Sequence, residues 1–550
     1  MPADLRAVSH PETLPLESRS RRGLPTGIPP SVRRLLLLAA VAAFGCNKPQ
    51  PPPDACTEGL RTTPARLLTR FELDNTLRDL VHDETRPGQL LPVEPLALGL
   101  DNNADVYMVT PDYQSRLLDV AEQVAARAVQ AHLPELLPCT TKDAACGRQF
   151  IETFGRRAFR RPLSPDERTT FSDLFDTALV AEGFDAAIET CLTAFLMSPQ
   201  FLYRLEPFEV ESGAEWLPPH ALASRLSYFL WGTMPDEALL SAADTGALAA
   251  EPELLVQAQR MLKDARALEP AAHFFGLWLH LDALAGIEKD PALYPAFNPA
   301  MRSAWQQSLK LFVGDVFSKS PTLPYALTSS ALFVDENMGG MYGNGPVPAG
   351  QFIRLEMPLT QRAGLLTQPG FLAELSSPDQ SSPVRRGVFV LEKVMCESVA
   401  PPPPSVNAVP PPVDPMSTTR ERFAVHSTTA GCSGCHLRID GIGFGFEHYD
   451  GIGAWRDTDN GKSVDATGEV VQANEPALDG PYDGAHQLLQ RLSKARQVHD
   501  CMATQWYRYA VARVETAGDA CSLEQVQAKF FEGQGDFDTL RTEILKSPAF

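Results

Sequence analysis

The sequence predicts a mainly α-helical protein with a multi-domain helical body and a smaller helical unit at the C-terminal end. Apolar residues recur at amphipathic-helix spacing along most of the 550 residues, and strand signals are short and rare, as at 352–355. A proline-rich segment at 400–415 can form neither a helix nor a central strand, and we expect it to separate the body from the C-terminal unit. Because Cys396 precedes this segment and Cys501 or Cys521 follows it, we also expect the C-terminal unit to dock back onto the body.

The helices of the body are predicted from apolar periodicity together with start and stop signals. Ser164-Pro165-Asp166-Glu167 supplies a capping serine, a first-turn proline and a glutamate at the third position, which predicts a helix start. Periodicity predicts further helices over 65–81, 113–131, 147–158, 219–231, 236–247, 253–265, 270–281 and 299–318.

Changes in composition divide the chain into nine predicted segments. The first two are a signal peptide at 1–46 and a proline-rich stalk at 47–60. Helical domains are predicted at 61–135, 146–206 and 216–345, and a fourth domain begins at 350–399. The linker at 400–415 then leads to segments at 416–460 and 478–550.

The N-terminal region has the features of an export signal. Arg33-Arg34 precede a short apolar run at 35–44, which ends at Gly45-Cys46. A small residue before cysteine is typical of bacterial lipoproteins, so we predict that Cys46 is lipidated, with ordinary signal cleavage nearby as the alternative. The residues before Arg33 do not resemble a signal peptide, so we expect translation to start near Val32. The predicted location is periplasmic or at the cell surface, on a lipid anchor.

The composition and the absence of several motifs argue against some classes of function. A net charge of −20 argues against nucleic-acid binding and is compatible with a basic redox partner. The sequence has no P-loop, no dinucleotide fingerprint and no nucleophile elbow, which argues against nucleotide-dependent enzymes and serine hydrolases. No catalytic residue is predicted.

The strongest chemical signal is Cys-x-x-Cys-His, formed by Cys432, Cys435 and His436. Two thiols at this spacing lie on one side of a helical turn and can bond to the vinyl groups of one porphyrin, while the histidine ligates the iron. The alternatives are a redox disulfide and half of a zinc site. We predict one covalent haem c, which makes the C-terminal unit a cytochrome-c-like helical haem unit.

The sixth ligand of the haem iron is left open by the sequence. His426 or Met502 can supply it, and an open position is the third alternative. Gly441 and Gly443 are expected to let the backbone pass close under the haem ring.

The remaining cysteines suit an oxidising compartment. Candidate disulfides are Cys139 with Cys146, which bracket a short loop, and Cys501 with Cys521, which flank a helix end. Seven cysteines remain after lipidation and haem attachment, so at least one thiol is free, and Cys191 in an apolar helix is the expected buried one.

Nearly all of the mature chain resembles a secreted bacterial family, common in planctomycetes and myxobacteria, that is assembled from serial domains of unknown function around a cytochrome-c-like motif. The resemblance rests on 66–80, 100–103, 154–163, 198–204, 222–231, 362–368, 432–436, 451–456 and 501–513. It implies a secreted haem-binding protein and no particular reaction. Gly441 stands where the family usually has proline.

Three functions follow as hypotheses. The first is extracytoplasmic electron transfer by the haem to a redox partner. The second is a haem-dependent oxidative enzyme that activates peroxide or oxygen. The third is a non-catalytic binding or scaffold lipoprotein.

Overall fold

The computed structural model describes residues 56, 65–206, 209–211, 214–342, 345–402, 409–429 and 431–550. The predicted signal peptide, its lipidation site Cys46 and most of the stalk lie outside these residues. The chain from Cys56 to Phe550 forms one compact unit. It is mainly helical, as predicted. Within the described part, none of the helices has both the length and the apolar character needed to cross a bilayer.

Helices form most of the secondary structure. In the first half of the chain they are α1 (Arg70–Val81), α2 (Pro111–Leu136), α3 (Ala144–Ala158), α4 (Pro165–Glu182), α5 (Phe184–Met197), α6 (Pro199–Leu202), α7 (Pro219–Trp231), α8 (Glu237–Asp244), α9 (Glu251–Leu262) and α10 (Leu268–Trp278). In the second half they are α11 (Pro299–Lys319), α12 (Leu323–Thr328), α13 (Pro369–Glu374), α14 (Pro383–Phe389), α15 (Thr419–Thr428), α16 (Ser433–Gly443), α17 (Gly484–Leu492), α18 (Arg496–Val511), α19 (Ala520–Glu532) and α20 (Phe537–Lys546).

The strands within the described residues form five antiparallel pairs. They are β1 (Ala65–Leu67) with β2 (Tyr203–Leu205), β3 (Glu209–Glu211) with β4 (Ala214–Trp216), β5 (Ala331–Val334) with β6 (Ile353–Glu356), β7 (Thr458–Asp459) with β8 (Lys462–Ser463), and β9 (Thr467–Val470) with β10 (Gly480–Asp483). These short pairs connect helices and do not form a sheet core.

Capping residues set several helix starts. Ser164 caps α4 reciprocally with Glu167, so the helix start predicted there is confirmed. Thr69 and Glu72 form the same kind of cap at α1, and this explains one difference from the prediction over 65–81. Residues 65–67 precede the cap and pair with 203–205, so they form a strand instead of the first turn of a helix.

Two hydrophobic cores organise the described chain. The first is formed mainly by α1–α6 together with neighbouring loop residues. The second runs through α7–α14 and α16–α20 and includes residues on both sides of the proline-rich segment. Because α14 packs directly on α16 across that segment, the two sides share one core, and the expected docking of the C-terminal unit onto the body is confirmed.

Three disulfides are present in the described residues. Cys139 pairs with Cys146, which closes the short loop before α3. The expected Cys501–Cys521 pair is wrong: Cys501 pairs with Cys396, and Cys521 pairs with Cys56. The reason is that Cys501 faces the π-helical turn Val390–Val394, where its sulfur lies 3.4 Å from the Lys393 carbonyl oxygen, beside Cys396. Cys191 is a free, buried thiol.

Candidate haem-attachment site

The Cys-x-x-Cys-His motif occupies the first turn of α16. Cys432 caps the helix, and the amide of His436 donates to the Cys432 carbonyl oxygen at 3.1 Å. Both thiols are unbonded, with Cys432 half-buried and Cys435 exposed. The turn therefore presents two free thiols three residues apart at the protein surface, where a porphyrin can reach them.

The orientation of His436 is fixed by a buried carboxylate. Its Nδ1 lies 3.1 Å from Oδ1 of Asp440, one turn further along α16, and Asp440 has no exposed surface. The Ser427 hydroxyl donates to the other Asp440 oxygen at 3.1 Å. A histidine that donates Nδ1–H to a carboxylate keeps Nε2 free to bind a metal. Asp440 is not among the residues predicted from the sequence, although its four-residue spacing from His436 is the signal that indicates it.

Of the two candidate sixth ligands, His426 and Met502, it is His426 on α15 that lies next to His436. The two imidazole centroids are 4.6 Å apart, with their planes inclined at 51°. Nδ1 of His426 is buried and has no hydrogen-bond partner among the residues that the structure describes. Burial, assisted by the neighbouring His436, lowers the pKa of His426 and favours the neutral, metal-binding form of the ring.

Met502 lies elsewhere, in the buried core on α18. The other histidines near the motif also have local contacts. His448 stacks on Trp455 with 4.2 Å between ring centroids. His499 is buried and its Nδ1 lies 2.8 Å from the Ala495 carbonyl oxygen.

The residues present fit a c-type haem. Two free thiols, an oriented imidazole and an unpaired buried nitrogen on His426 are the donors that such a group uses. One ligand atom from each of His426, His436 and Asp440 also lies within 4.8 Å of the others, a spacing that could hold a metal ion. The two imidazoles are in contact, so an iron between them would require α15 to move away from α16.

Gly441 and Gly443 serve a different purpose from the one predicted. A Cβ on Gly441 would come within 2.5 Å of the Glu469 carbonyl oxygen, and one on Gly443 within 1.9 Å of the Pro383 oxygen. These glycines allow α16 to pack closely on β9 and on α14. A groove of about 940 Å³ lies beside the helix and is lined by residues that include Gly434, Leu437 and Tyr482.

Five family profiles match the chain in series, and each is described as a protein of unknown function. They are DUF1587 at 66–130, DUF1595 at 146–206, DUF1592 at 217–343, DUF1588 at 362–459 and DUF1585 at 480–550. The profile that spans Cys432, Cys435 and His436 has the short name PSCyt3, which hints at a cytochrome-like domain. No curated protein and no solved structure matches the chain. With five domains in this series, the chain belongs to the planctomycete-type cytochrome-c-like family of unknown function.

Proposed function

We propose that this protein is an exported, lipid-anchored c-type haem protein that transfers single electrons outside the cytoplasm. The observation that carries the proposal is the arrangement on α16: two unbonded thiols beside a histidine that a buried Asp440 orients. The PSCyt3 profile over the same residues supports it.

Each residue has a defined role in this proposal. Cys432 and Cys435 would hold the haem through thioether bonds, and His436 would bind the iron through Nε2 while Asp440 holds Nδ1–H. His426 would offer a second imidazole if α15 moved away from α16. When bound, the haem would supply a reversible one-electron couple.

The attachment of haem is tested by expression together with a cytochrome-c maturation system. A haem stain on a denaturing gel should reveal covalent haem in the wild type and none after Cys432→Ala with Cys435→Ala. Cys191→Ala is the matched control, because this thiol is buried and distant in sequence from the motif. Its removal should leave the stain unchanged. The absence of stain in the wild type refutes the haem assignment and favours a binding or scaffold protein.

The coordination of the iron separates electron transfer from oxidative catalysis. A low-spin, six-coordinate absorption spectrum is expected, and His426→Ala should convert it to high spin, whereas Met502→Leu should not. The second candidate function is haem-dependent activation of peroxide or oxygen, which the groove of about 940 Å³ beside α16 favours as a place for a substrate. A resting high-spin iron that binds cyanide or carbon monoxide would support that alternative.

Export and anchoring rest on the N-terminal sequence. The small residue before Cys46 and the proline-rich stretch after it motivate a lipid anchor with a stalk. Mass spectrometry of the mature N-terminus should find diacylglycerol on Cys46. An unmodified terminus, or cleavage elsewhere, would refute the anchor.

A further inference from the structure

A cleft of about 580 Å³ opens between α1, the loop that follows it, α10 and α11. This volume is in the range of small-molecule sites in proteins. The cleft lies in segments matched by the DUF1587 and DUF1592 profiles, and its lining contains no residue of the Cys-x-x-Cys-His helix.

An aspartate–histidine pair lies in this cleft. Nε2 of His273, on α10, is 2.7 Å from Oδ2 of Asp101, and the imidazole stacks on Phe71 with 4.1 Å between ring centroids. Among the described residues, nothing forms a hydrogen bond with Nδ1 of His273, and 21% of the side chain is exposed. The pair thus leaves one imidazole nitrogen available to a ligand.

Asp101 is held in place and has an unused oxygen. The side chain amide of Asn102 donates to the Tyr509 carbonyl oxygen at 2.8 Å, and the Ala104 amide donates to the Ala512 oxygen at 2.9 Å, which fixes the loop to α18. Asp101 is only 5% exposed, and within the described part of the chain its Oδ1 has no hydrogen-bond partner. A buried carboxylate oxygen without a donor costs free energy, which a ligand hydroxyl would recover.

One face of α10 forms the floor of the cleft and carries small residues there. Glu269, Ala272, His273 and Gly276 recur at helical spacing along this face. Glycine inside a helix costs about 1 kcal/mol relative to alanine, yet a Cβ on Gly276 would meet no atom within 4 Å. Packing therefore gives no reason for glycine at this position, whereas an open cleft does.

The lining of the cleft carries an excess of negative charge, with seven aspartates and glutamates against four arginines and lysines, which disfavours an anionic ligand. Two of the cations are paired: Nε of Arg70 lies 2.9 Å from Glu94 Oε2, and Arg78 Nη1 lies 3.1 Å from both Glu269 oxygens. The cleft thus offers many acceptors next to a few donors. A hydroxyl group both donates and accepts, so a ligand with many hydroxyls matches such a surface.

We propose that this cleft binds a neutral, polyhydroxylated ligand the size of a di- or trisaccharide, with hydroxyl groups bonded to Asp101 and His273. The exposed apolar residues Val93 and Leu96 at the cleft provide contacts for the C–H faces of sugar rings. This site is additional to the proposed electron transfer and does not depend on haem.

Isothermal titration calorimetry on the full-length exported protein tests the proposal. The probes are cellotriose, xylotriose, maltotriose and triacetylchitotriose, with trigalacturonic acid as the charged comparator. At least one neutral trisaccharide should bind, and Asp101→Asn and His273→Gln should each weaken binding by about tenfold, the effect of one or two hydrogen bonds to a charged group. Thermal melting shows whether these two variants remain folded.

Gly276→Leu provides a variant that fills the cleft without disturbing packing. It should abolish binding and keep the melting temperature, because leucine favours the helix and its Cβ meets open space. Gly286→Leu is the matched control, since Gly286 is exposed, has equally open surroundings and lies outside the cleft lining. The proposal is overturned if no neutral probe binds at millimolar concentration, if Gly276→Leu binds normally, or if only the charged comparator binds.

Discussion

The two cores of the molecule are held together in different ways. The Cys139–Cys146 disulfide of the first core spans only 7 residues. The Cys396–Cys501 disulfide of the second core spans 105 residues and connects the two sides of the proline-rich segment. The region that contains the haem motif therefore depends more on long-range cross-links, which form in an oxidising compartment.

The largest expected effect comes from removing the long-range disulfide of the second core. Cys396→Ser with Cys501→Ser should lower the free energy of unfolding by about 4–5 kcal/mol, because a bond across 105 residues strongly restricts the unfolded chain. The matched change, Cys139→Ser with Cys146→Ser, closes a much shorter loop and should cost about 2–3 kcal/mol. Urea unfolding followed by circular dichroism measures both, and equal losses would contradict the contrast between the cores.

A smaller loss is expected from Arg386, which connects the two sides of the proline-rich segment. Its buried guanidinium donates to the carbonyl oxygens of Phe446, Tyr449 and Asp450 at 2.8–2.9 Å. Arg386→Leu removes the guanidinium donor from all three oxygens. Those of Phe446 and Asp450 keep the backbone amides of Tyr449 and Gly453, whereas the Tyr449 oxygen loses its donor. The variant should lower the free energy of unfolding by about 3 kcal/mol in the same urea experiment.

Arg385→Leu is the control for that change, since Arg385 is exposed and adjacent in sequence. Its expected cost is below about 0.5 kcal/mol. If both variants lose the same stability, the buried network does not hold the second core together.

Local signals explain how much of the fold could be predicted. The N-cap at Ser164 and the periodicity over 219–231 fix helices from residues that are adjacent in the chain. The strand at 65–67 could not be predicted, because its pairing partner lies at 203–205. For Cys396 the sequence left the partner open between Cys501 and Cys521, because no local pattern records which of these distant thiols packs beside it.

The two candidate sites also differ in whether residues close together in the sequence reveal them. Cys432, Cys435 and His436 are visible in the sequence because haem attachment needs them within one helical turn. Asp101 and His273 are 172 residues apart and meet only when the loop before α2 packs against α10. A site assembled from distant single residues leaves no spacing pattern in the sequence, so it could not be predicted there.

The histidine of that distant pair should add a pH dependence to the second core. Although burial alone would lower it, the pKa of His273 is raised by Asp101 in contact, with Asp282 and Glu72 further away. The stabilisation that protonated His273 contributes is therefore complete below the ordinary histidine pKa of about 6.5. It is lost as the pH rises through the higher pKa that His273 has in the folded protein.

His273→Gln tests this dependence. The difference in unfolding free energy between wild type and variant should be larger under mildly acidic than under mildly alkaline conditions. A difference that does not change with pH would show that His273 has the same pKa in the folded and unfolded chain.

The smallest perturbation is alkylation of the free thiols, which compares how accessible they are in the two cores. Burial raises the pKa of Cys191 in the first core to about 12, so the reactive thiolate is scarce and enclosed. Cys432 and Cys435 in the second core are free and more accessible. In haem-free protein, iodoacetamide should label Cys432 and Cys435 in the native state, and Cys191 only after unfolding, as measured by peptide mass spectrometry.

Haem attachment should change this labelling pattern in one place only. Once both thioethers have formed, Cys432 and Cys435 no longer react, whereas Cys191 still reacts only in the unfolded chain. Labelling of Cys191 in folded protein would contradict its burial. Protection of Cys432 and Cys435 in haem-free protein, relieved by a reductant, would mean that the two thiols bond to each other, and the motif would then have to be interpreted as a redox disulfide.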